Sequence, residues 1–376
     1  MKNKLELKIC KRCVMDQSDP LISFTHSGCN HCDTYFNRVK VEIPNSEPER
    51  ETKLRILVNK IKKDGRKKQY DCVIGVSGGV DSTSVALNIK KLGLRPIAVH
   101  LDNGWNSELA VWNIQETLRV LKIPLKTHVI NWQEFRDLQK SFIEADVPNC
   151  EIPTDHAIGA LLIKTALKHR IKYILHGGNV QTEAIMPISW GWYNQDLKHI
   201  NDINKKFYKS SLSSYPKINI YQYLYAFTIR RLKFIPILNY LNYNKTKAKQ
   251  YIIKELNWRD YGGKHFESIF TRFFQGYYLP QKFGFDKRKA HLSCLVCAGE
   301  ITRKEALKIL SEPCYDINLQ EKDLAYVRKK LKYDPDVFNS ILKRKPKLHT
   351  EYKTNKFLLE DMEKLKKIFK TIVTNV

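Results

Sequence analysis

No apolar run in this 376-residue chain approaches the length of a bilayer-spanning helix. Its first stretch, MKNKLELKICKRC, lacks the apolar segment of a secretory signal, so a cytoplasmic location and no membrane partner are expected. No internal repeat and no low-complexity tract is found. The pattern GxxxxGKS/T is absent, which excludes a Walker-type phosphate loop. Acidic residues are scarce, 39 against 65 Lys and Arg, leaving a formal charge of +26. Such a charge raises nucleic acid as a partner. The lysines are spread along the whole chain, however, with no Arg-rich arm and no aromatic-studded RNA-binding signature, so nucleic acid is not the expected main partner. With 43% apolar residues the chain can build a real core, and its length fits two or three domains.

Cysteine is present nine times, in a pattern. Cys10-x2-Cys13 and Cys29-x2-Cys32 are separated by fifteen residues, the spacing of a four-thiolate zinc site. Each pair makes a knuckle, and two knuckles complete a tetrahedron. The ion would replace a core that about forty residues can hardly build. With four protein ligands the site is expected to be structural rather than catalytic. Cys294 and Cys297 form a lone pair in an apolar helical stretch and read as small core residues; Cys72 falls within a strand.

Four regions are expected. Residues 1–45 form the cysteine-bearing head, followed by a polar, proline-containing linker. Residues 50–200 alternate strand and helix: YDCVIGV, RPIAVHL, LKTHVI and KYILHGG read as strands, with helical periodicity between them. That alternation predicts an α/β fold with a parallel sheet covered on both faces and a functional crevice beyond the carboxyl ends of its strands. Residues 201–310 are aromatic-rich and mostly helical. Residues 311–376 form a Lys-rich helical tail ending in KFLLEDMEKLKKIFKTIV, an amphipathic pattern. Head and tail are the candidate docking surfaces.

VIGVSGGVDSTSVA, Val73 to Ala86, runs from a strand through Ser77, Gly78, Gly79 and Val80 to Asp81 and Ser82 at the start of a helix. Glycines let backbone approach an anion, and the helix offers unpaired N–H groups and the positive end of its dipole. Two hydroxyls add donors. Asp81 cannot bind phosphate directly and is expected to hold Mg²⁺. This hexapeptide resembles the pyrophosphate loop of the PP-loop ATP pyrophosphatases, which include asparagine, GMP and NAD synthetases and the tRNA thiolases. The resemblance implies ATP as co-substrate, attack at its α-phosphorus, an adenylated intermediate and release of pyrophosphate. It further implies that Asp102, ending the second strand, lies beside the nucleotide, and that Gly177 and Asn179 of HGGN close the same pocket.

Longer stretches narrow the likeness. KICKRCVMDQSDP, VHLDNGWNSELAV and Tyr261 to Ser293 resemble the N-acetyl sugar amidotransferases, which act in bacterial surface-polysaccharide or nonulosonic acid pathways. The likeness runs to about residue 310. It implies conversion of the acetamido group of a nucleotide-linked sugar to an acetamidino group. Adenylation makes the amide oxygen part of AMP, ammonia adds, and AMP leaves. Positioning and charge stabilisation suffice for this, so cations are sought in the family-like block. Lys287 and Arg288 are the candidates for pyrophosphate or adenylate contacts, with Lys264, His265, Arg272 and Lys282 as candidates for substrate binding; His265 reads equally as a packed histidine. No cysteine fits a glutaminase nucleophile, so ammonia is expected from a partner glutaminase subunit, with a cyclase-like channel subunit implied by the resemblance. The alternative is a tRNA thiolase, which would carry sulfur on Cys150 with Cys294 or Cys297. A zinc scaffold with an inactive nucleotide fold is the third reading, and the intact SGGVDS turn opposes it.

Overall fold

The computed structural model describes residues 7–263 and 265–361. Its centre is one sheet of five parallel strands in the order β3-β2-β1-β4-β5. Strand β1 (Cys72–Gly75) is buried from Cys72 to Ile74, as its apolar run requires of a central strand. It pairs with β2 (Pro96–Asp102) on one side and β4 (Tyr173–His176) on the other. The outer strands are β3 (Leu125–Val129), whose side chains alternate between partly covered and exposed, and β5 (Lys233–Pro236). The chain builds outward from β1 through β2 to β3, then returns to add β4 and β5. The order therefore reverses between β1 and β4, where parallel sheets open a crevice.

Alternation along the strands feeds two cores. Ile74, Ala98, Tyr173 and Leu175 pack with α2 (Glu47–Gly65), α3 (Val80–Lys91) and α4 (Glu108–Leu121). Val73, Ile97, Val99 and Ile174 face α5 (Trp132–Glu144) and α6 (Ile152–Lys168). The helix starts follow the sequence: Ser46, Ser107 and Asn131 each cap a helix by accepting a backbone N–H.

The boundary expected at residue 200 falls inside this unit, because β5 completes the sheet. Its four residues end in Pro236 and carry no alternation strong enough to identify an edge strand. Around it lie α7 (Val180–Glu183), α8 (Leu197–Lys206), α9 (Ile220–Thr228) and α10 (Lys245–Leu256). The aromatic run that follows is one bent helical segment. Helix α11 (Ile269–Phe273) passes through a π-helical turn, Phe274–Tyr278, into α12 (Leu279–Phe283). Then come α13 (Arg288–Ala298), α14 (Arg303–Ser311), α15 (Ile317–Leu331) and α16 (Pro335–Lys343).

Neither end stands apart. The head carries α1 (Asn30–Glu42) and docks on α13 and α14. Val14 N donates to Ser293 Oγ at 3.2 Å, and Arg303 Nε donates to the Cys10 and Cys13 carbonyls at 3.1 Å each. The tail expected as a free surface is packed instead: Val327, Leu331 and Phe338 are fully buried, and Tyr352 donates to the Ala145 carbonyl at 2.9 Å. Its periodic apolar face needed a partner and found the family-like block. The end of the amphipathic pattern at 356–373, from residue 362 on, lies outside the described residues. No helix among the described residues is long and apolar enough to cross a membrane.

Candidate functional site

The turn after β1 is shaped by its own residues. Gly78 adopts φ +79°, and a Cβ there would lie 2.5 Å from the Ala110 carbonyl oxygen, so only glycine fits. Ser82 Oγ accepts from Ser77 N at 3.3 Å and donates to the Gly79 carbonyl at 3.2 Å. Trp258 Nε1 donates to the Gly78 carbonyl at 2.9 Å and fixes that peptide. Gly79 caps α3 with no side chain, and the turn opens on a cavity of about 190 Å³, where the Tyr261 hydroxyl meets the Val80 N–H.

The cavity is lined by Ser77, Gly79, Val80, Asp81 and Ser82 from the turn. Its far wall is Lys245 and Lys249, one turn apart at the start of α10, and the loop carrying Tyr261, His265 and Glu267. Asp81 is engaged: Lys245 Nζ donates to Oδ2 at 2.9 Å and the Tyr243 hydroxyl donates to Oδ1. Lys249 pairs with Asp260. Burial pushes the Glu267 carboxyl up, but its bond to His265 and nearby positive charge outweigh this and hold it below the usual range. Two loops are stitched together to place Glu267. Ser107 N donates to the Glu267 carbonyl and Ile269 N to the Trp105 carbonyl, both at 2.9 Å. The arrangement presents the backbone of the turn, the hydroxyls of Ser77, Ser82 and Tyr261, two lysines and the carboxylates of Asp81, Asp260 and Glu267 in one concavity. That set can hold a polyphosphate with a divalent ion, which takes one or two carboxylates and phosphate oxygens. In this structure Lys245 supplies the positive charge at Asp81.

The other residues singled out in the sequence divide by place. Asp102 folds its own loop, accepting from Gly104 N at 2.9 Å and Asn106 Nδ2 at 3.5 Å. Asn106 also reaches His100 Nε2, and His100 Nδ1 donates to the Val76 carbonyl, so this strand end braces the glycine turn. Gly177 packs against Asp81: a Cβ there would lie 3.0 Å from the Asp81 carbonyl carbon. Asn179 caps α7 and donates to the Gly177 carbonyl at 3.2 Å. His265 lines the cavity. Lys264 lies outside the described residues.

The cations expected in the site are mostly occupied elsewhere. Arg288 donates to Asp286 and to the Ile309, Glu312 and Pro313 carbonyls, closing the end of α14. Arg272 makes a two-bond pair with Asp323 at 2.7 and 2.8 Å. Lys282 is buried against Asp146 at 2.8 Å and the Ile341 carbonyl. These three hold the C-terminal helices in place, and their charge is spent on internal partners. Lys287 faces Glu151 at 3.8 Å rather than the turn cavity. The residues missed were Tyr243, Lys245, Lys249, Tyr261 and Glu267. One signal was available: Asn244 followed by lysines one turn apart in NKTKAKQ.

Cys10, Cys13, Cys29 and Cys32 converge with sulfurs within 4.8 Å of one another, all buried. Cys10–Cys32, Cys13–Cys29 and Cys29–Cys32 are each 3.8 Å apart. Tetrahedral Zn–S bonds of about 2.3 Å put sulfurs about 3.8 Å apart, so the four thiols fit zinc. Cys297, read as a core residue, instead brings its sulfur to Cys32. Cys150 is fully buried, within reach of the Phe142 and Val147 carbonyls, and burial pushes its thiol well up.

Residues 267–366 match the family model described as LPS biosynthesis protein WbpG-like, C-terminal domain. This supports the family resemblance carried by the sequence. No curated protein matched the chain. Among solved structures it is similar to NMN synthetase from Francisella tularensis, with 14% identity, a TM-score of 0.35, and cover of 75% of this chain and 93% of that one. It is also similar to the NH3-dependent NAD synthetase of Campylobacter jejuni, with 12% identity, a TM-score of 0.33, and cover of 79% and 98%. The fold rests on the strand order itself.

Proposed function

We propose that this chain is an ATP-dependent amidotransferase that converts the acetamido group of a nucleotide-linked N-acetyl sugar to an acetamidino group for surface-polysaccharide biosynthesis. The observation that carries the reading is the SGGVDS turn at the switch point of the sheet, sharing one cavity with Lys245 and Lys249. The match of residues 267–366 to a WbpG-like LPS biosynthesis domain supports the choice of pathway.

In this reading the turn binds the β- and γ-phosphates of ATP. Ser77, Ser82 and the first N–H groups of α3 supply neutral donors, and Lys245 and Lys249 supply charge where the pyrophosphate leaves. Mg²⁺, bound with the phosphates, would be held by Asp81 and adds charge neutralisation. The acetamido oxygen attacks the α-phosphorus. The imidate carbon then takes ammonia, and AMP leaves. The head zinc keeps α13 and α14 in register and takes no part. Ammonia is mostly protonated at neutral pH, so a partner glutaminase with a channel subunit is the source assigned here. A thiolase needs an accessible sulfur pair, and Cys150 and Cys294 are both buried.

The test is turnover of the purified chain with ATP, Mg²⁺, high ammonium at raised pH and a panel of nucleotide-linked acetamido sugars. Mass spectrometry should find an acetamidino product together with AMP and pyrophosphate. Sulfur transfer to tRNA, with no amidine from any sugar, would overturn the assignment.

A further inference from the structure

One face of α6 looks into a space separate from the turn cavity. Glu151, Asp155, Ile158 and Leu162 follow one another at helical spacing. At the inner end Leu162 packs beside Gly75, where β1 ends. At the outer end Thr154 accepts from Asn103 Nδ2, one residue past β2, at 3.3 Å. Asp155 and Leu162 are seven positions, about 10 Å of helix, apart. Along that length protein falls away from the face. A Cβ at Gly159 would meet nothing within 4 Å, and Ile158 is 38% exposed although Ala157, Ala160 and Leu161 beside it are buried. The opposite side carries Lys287 and Gln275, the latter from the π-helical turn. Lys287 Nζ lies 3.8 Å from Glu151 Oε2, and Gln275 Nε2 donates to that same oxygen at 3.1 Å. Both partners of the Lys287–Glu151 pair are largely covered.

Asp155 differs from Glu151. Its side chain is open to this space yet surrounded by protein. Among the described residues no hydrogen bond to its carboxylate is formed, and only the charges of Glu151 and Lys287 act on it. Burial, then the like charge of Glu151, push its carboxyl up to about 7, with Lys287 pulling the other way. A carboxylate left without a partner at the carboxyl edge of the sheet, over an apolar floor, is matched to a cationic ligand.

We propose that this chamber receives the acceptor's acetamido group, and that Asp155 orients the incoming ammonia, takes the one proton the added nitrogen must shed, and pairs with the amidinium product. The inference rests on the amidotransferase reading. In the step, the ammonia lone pair forms a C–N bond to the imidate carbon. The carboxylate removes one proton from the nitrogen that has added. The C–O bond to AMP breaks, AMP leaves with the electron pair, and the amidinium keeps the positive charge. Glu151 is held by Lys287 and Gln275 and fixes the chamber wall.

The experiment uses the full chain and two probes of like shape, acetamidinium and neutral acetamide, with binding read by isothermal titration at pH 8. Acetamidinium should bind the wild type in preference to acetamide, and Asp155→Asn should weaken it by about tenfold, the loss of one charge-assisted contact. Glu151→Gln should weaken it less. In turnover, Asp155→Asn should keep acceptor-dependent ATP–pyrophosphate exchange and lose amidine formation. Equal binding of both probes by the wild type, or unchanged binding in a folded Asp155→Asn chain, would overturn the site. Amidine formed by Asp155→Asn at the wild-type rate retires Asp155 and leaves the enzyme's function standing. Acetamidinium binding that depends on Asp155, with no amidine made from any acetamido sugar, retires the function and with it the chemistry assigned to this residue.

Discussion

The cysteine site of the head and the cavity at the glycine turn are both announced by a few residues, yet they are built on opposite plans. The four thiols come from one short segment, Cys10 to Cys32, and close on themselves. The turn supplies only half of its cavity. Lys245, Lys249 and the Tyr261–Glu267 loop arrive from more than 160 residues away, and Lys245 pairs with Asp81 across that distance. A site whose ligands are local is specified by spacing. A site whose second wall is remote is specified by whatever folds that wall into place, here α10 and the stitching of Trp105 and Ser107 to Glu267 and Ile269.

The largest effect expected is at the local site. Cys13→Ser should lose zinc, approaching one equivalent per chain by metal analysis, and with it much of a binding energy of about 10 kcal/mol that is also folding energy. Because Arg303 is bonded to the Cys10 and Cys13 carbonyls, the thermal transition of the whole chain should fall, not that of the head alone. A variant that keeps zinc and folding would break the contrast. The remote-walled site is sensitive in another way. Asp81→Asn should keep the fold and cost about 3 kcal/mol of transition-state stabilisation, roughly a hundredfold in acceptor-dependent ATP–pyrophosphate exchange. Lys245→Ala should cost about tenfold or more, and the double variant should lose less than the two singles combined, since the pair acts as a unit. Strict additivity would separate them.

Smaller effects sharpen the difference between a cation in the site and one in the frame. Arg288→Ala should lower stability by about 1–3 kcal/mol, the loss of its charge-assisted bonds to Asp286 and to three carbonyls, while kcat stays near wild type. A large fall in kcat with unchanged stability would return Arg288 to the site. The smallest effect is a matter of sign. The Asp155 carboxyl is raised in the folded chain, so folding opposes its ionisation. At about pH 2 both the folded and the unfolded chain hold the proton, and Asp155→Asn should leave the melting temperature unchanged. As pH rises from about 4 to about 7 the wild type acquires a penalty that the variant lacks, so the variant should melt higher at pH 8. A variant that melts lower at pH 8 would show that the carboxylate has a stabilising partner.

The same division governs what could be read in the chain. The strands β1 to β4 and the helices between them are legible because each alternation or 3.6-residue period is local, and the turn because Gly78 must take positive φ. The cluster of Cys10, Cys13, Cys29 and Cys32 is legible because two knuckles at fixed spacing admit one tetrahedron. Strand β5 is not, since four residues ending in proline show no period, and its membership depends on β4 lying beside it. Nor are the roles of the cations. Arg272, Lys282 and Arg288 are chemically fit for a phosphate site, and only their partners Asp323, Asp146 and Asp286 commit them to the frame. Lys245 and Lys249 look like two more surface lysines in a chain rich in them until α10 packs on α3. By itself the sequence determined the parallel α/β sheet to its fourth strand, the turn and the thiolate set, because short-range geometry decides those. Which charges face the crevice was decided by tertiary structure alone, because a charge takes its role from the partner that long-range packing brings to it.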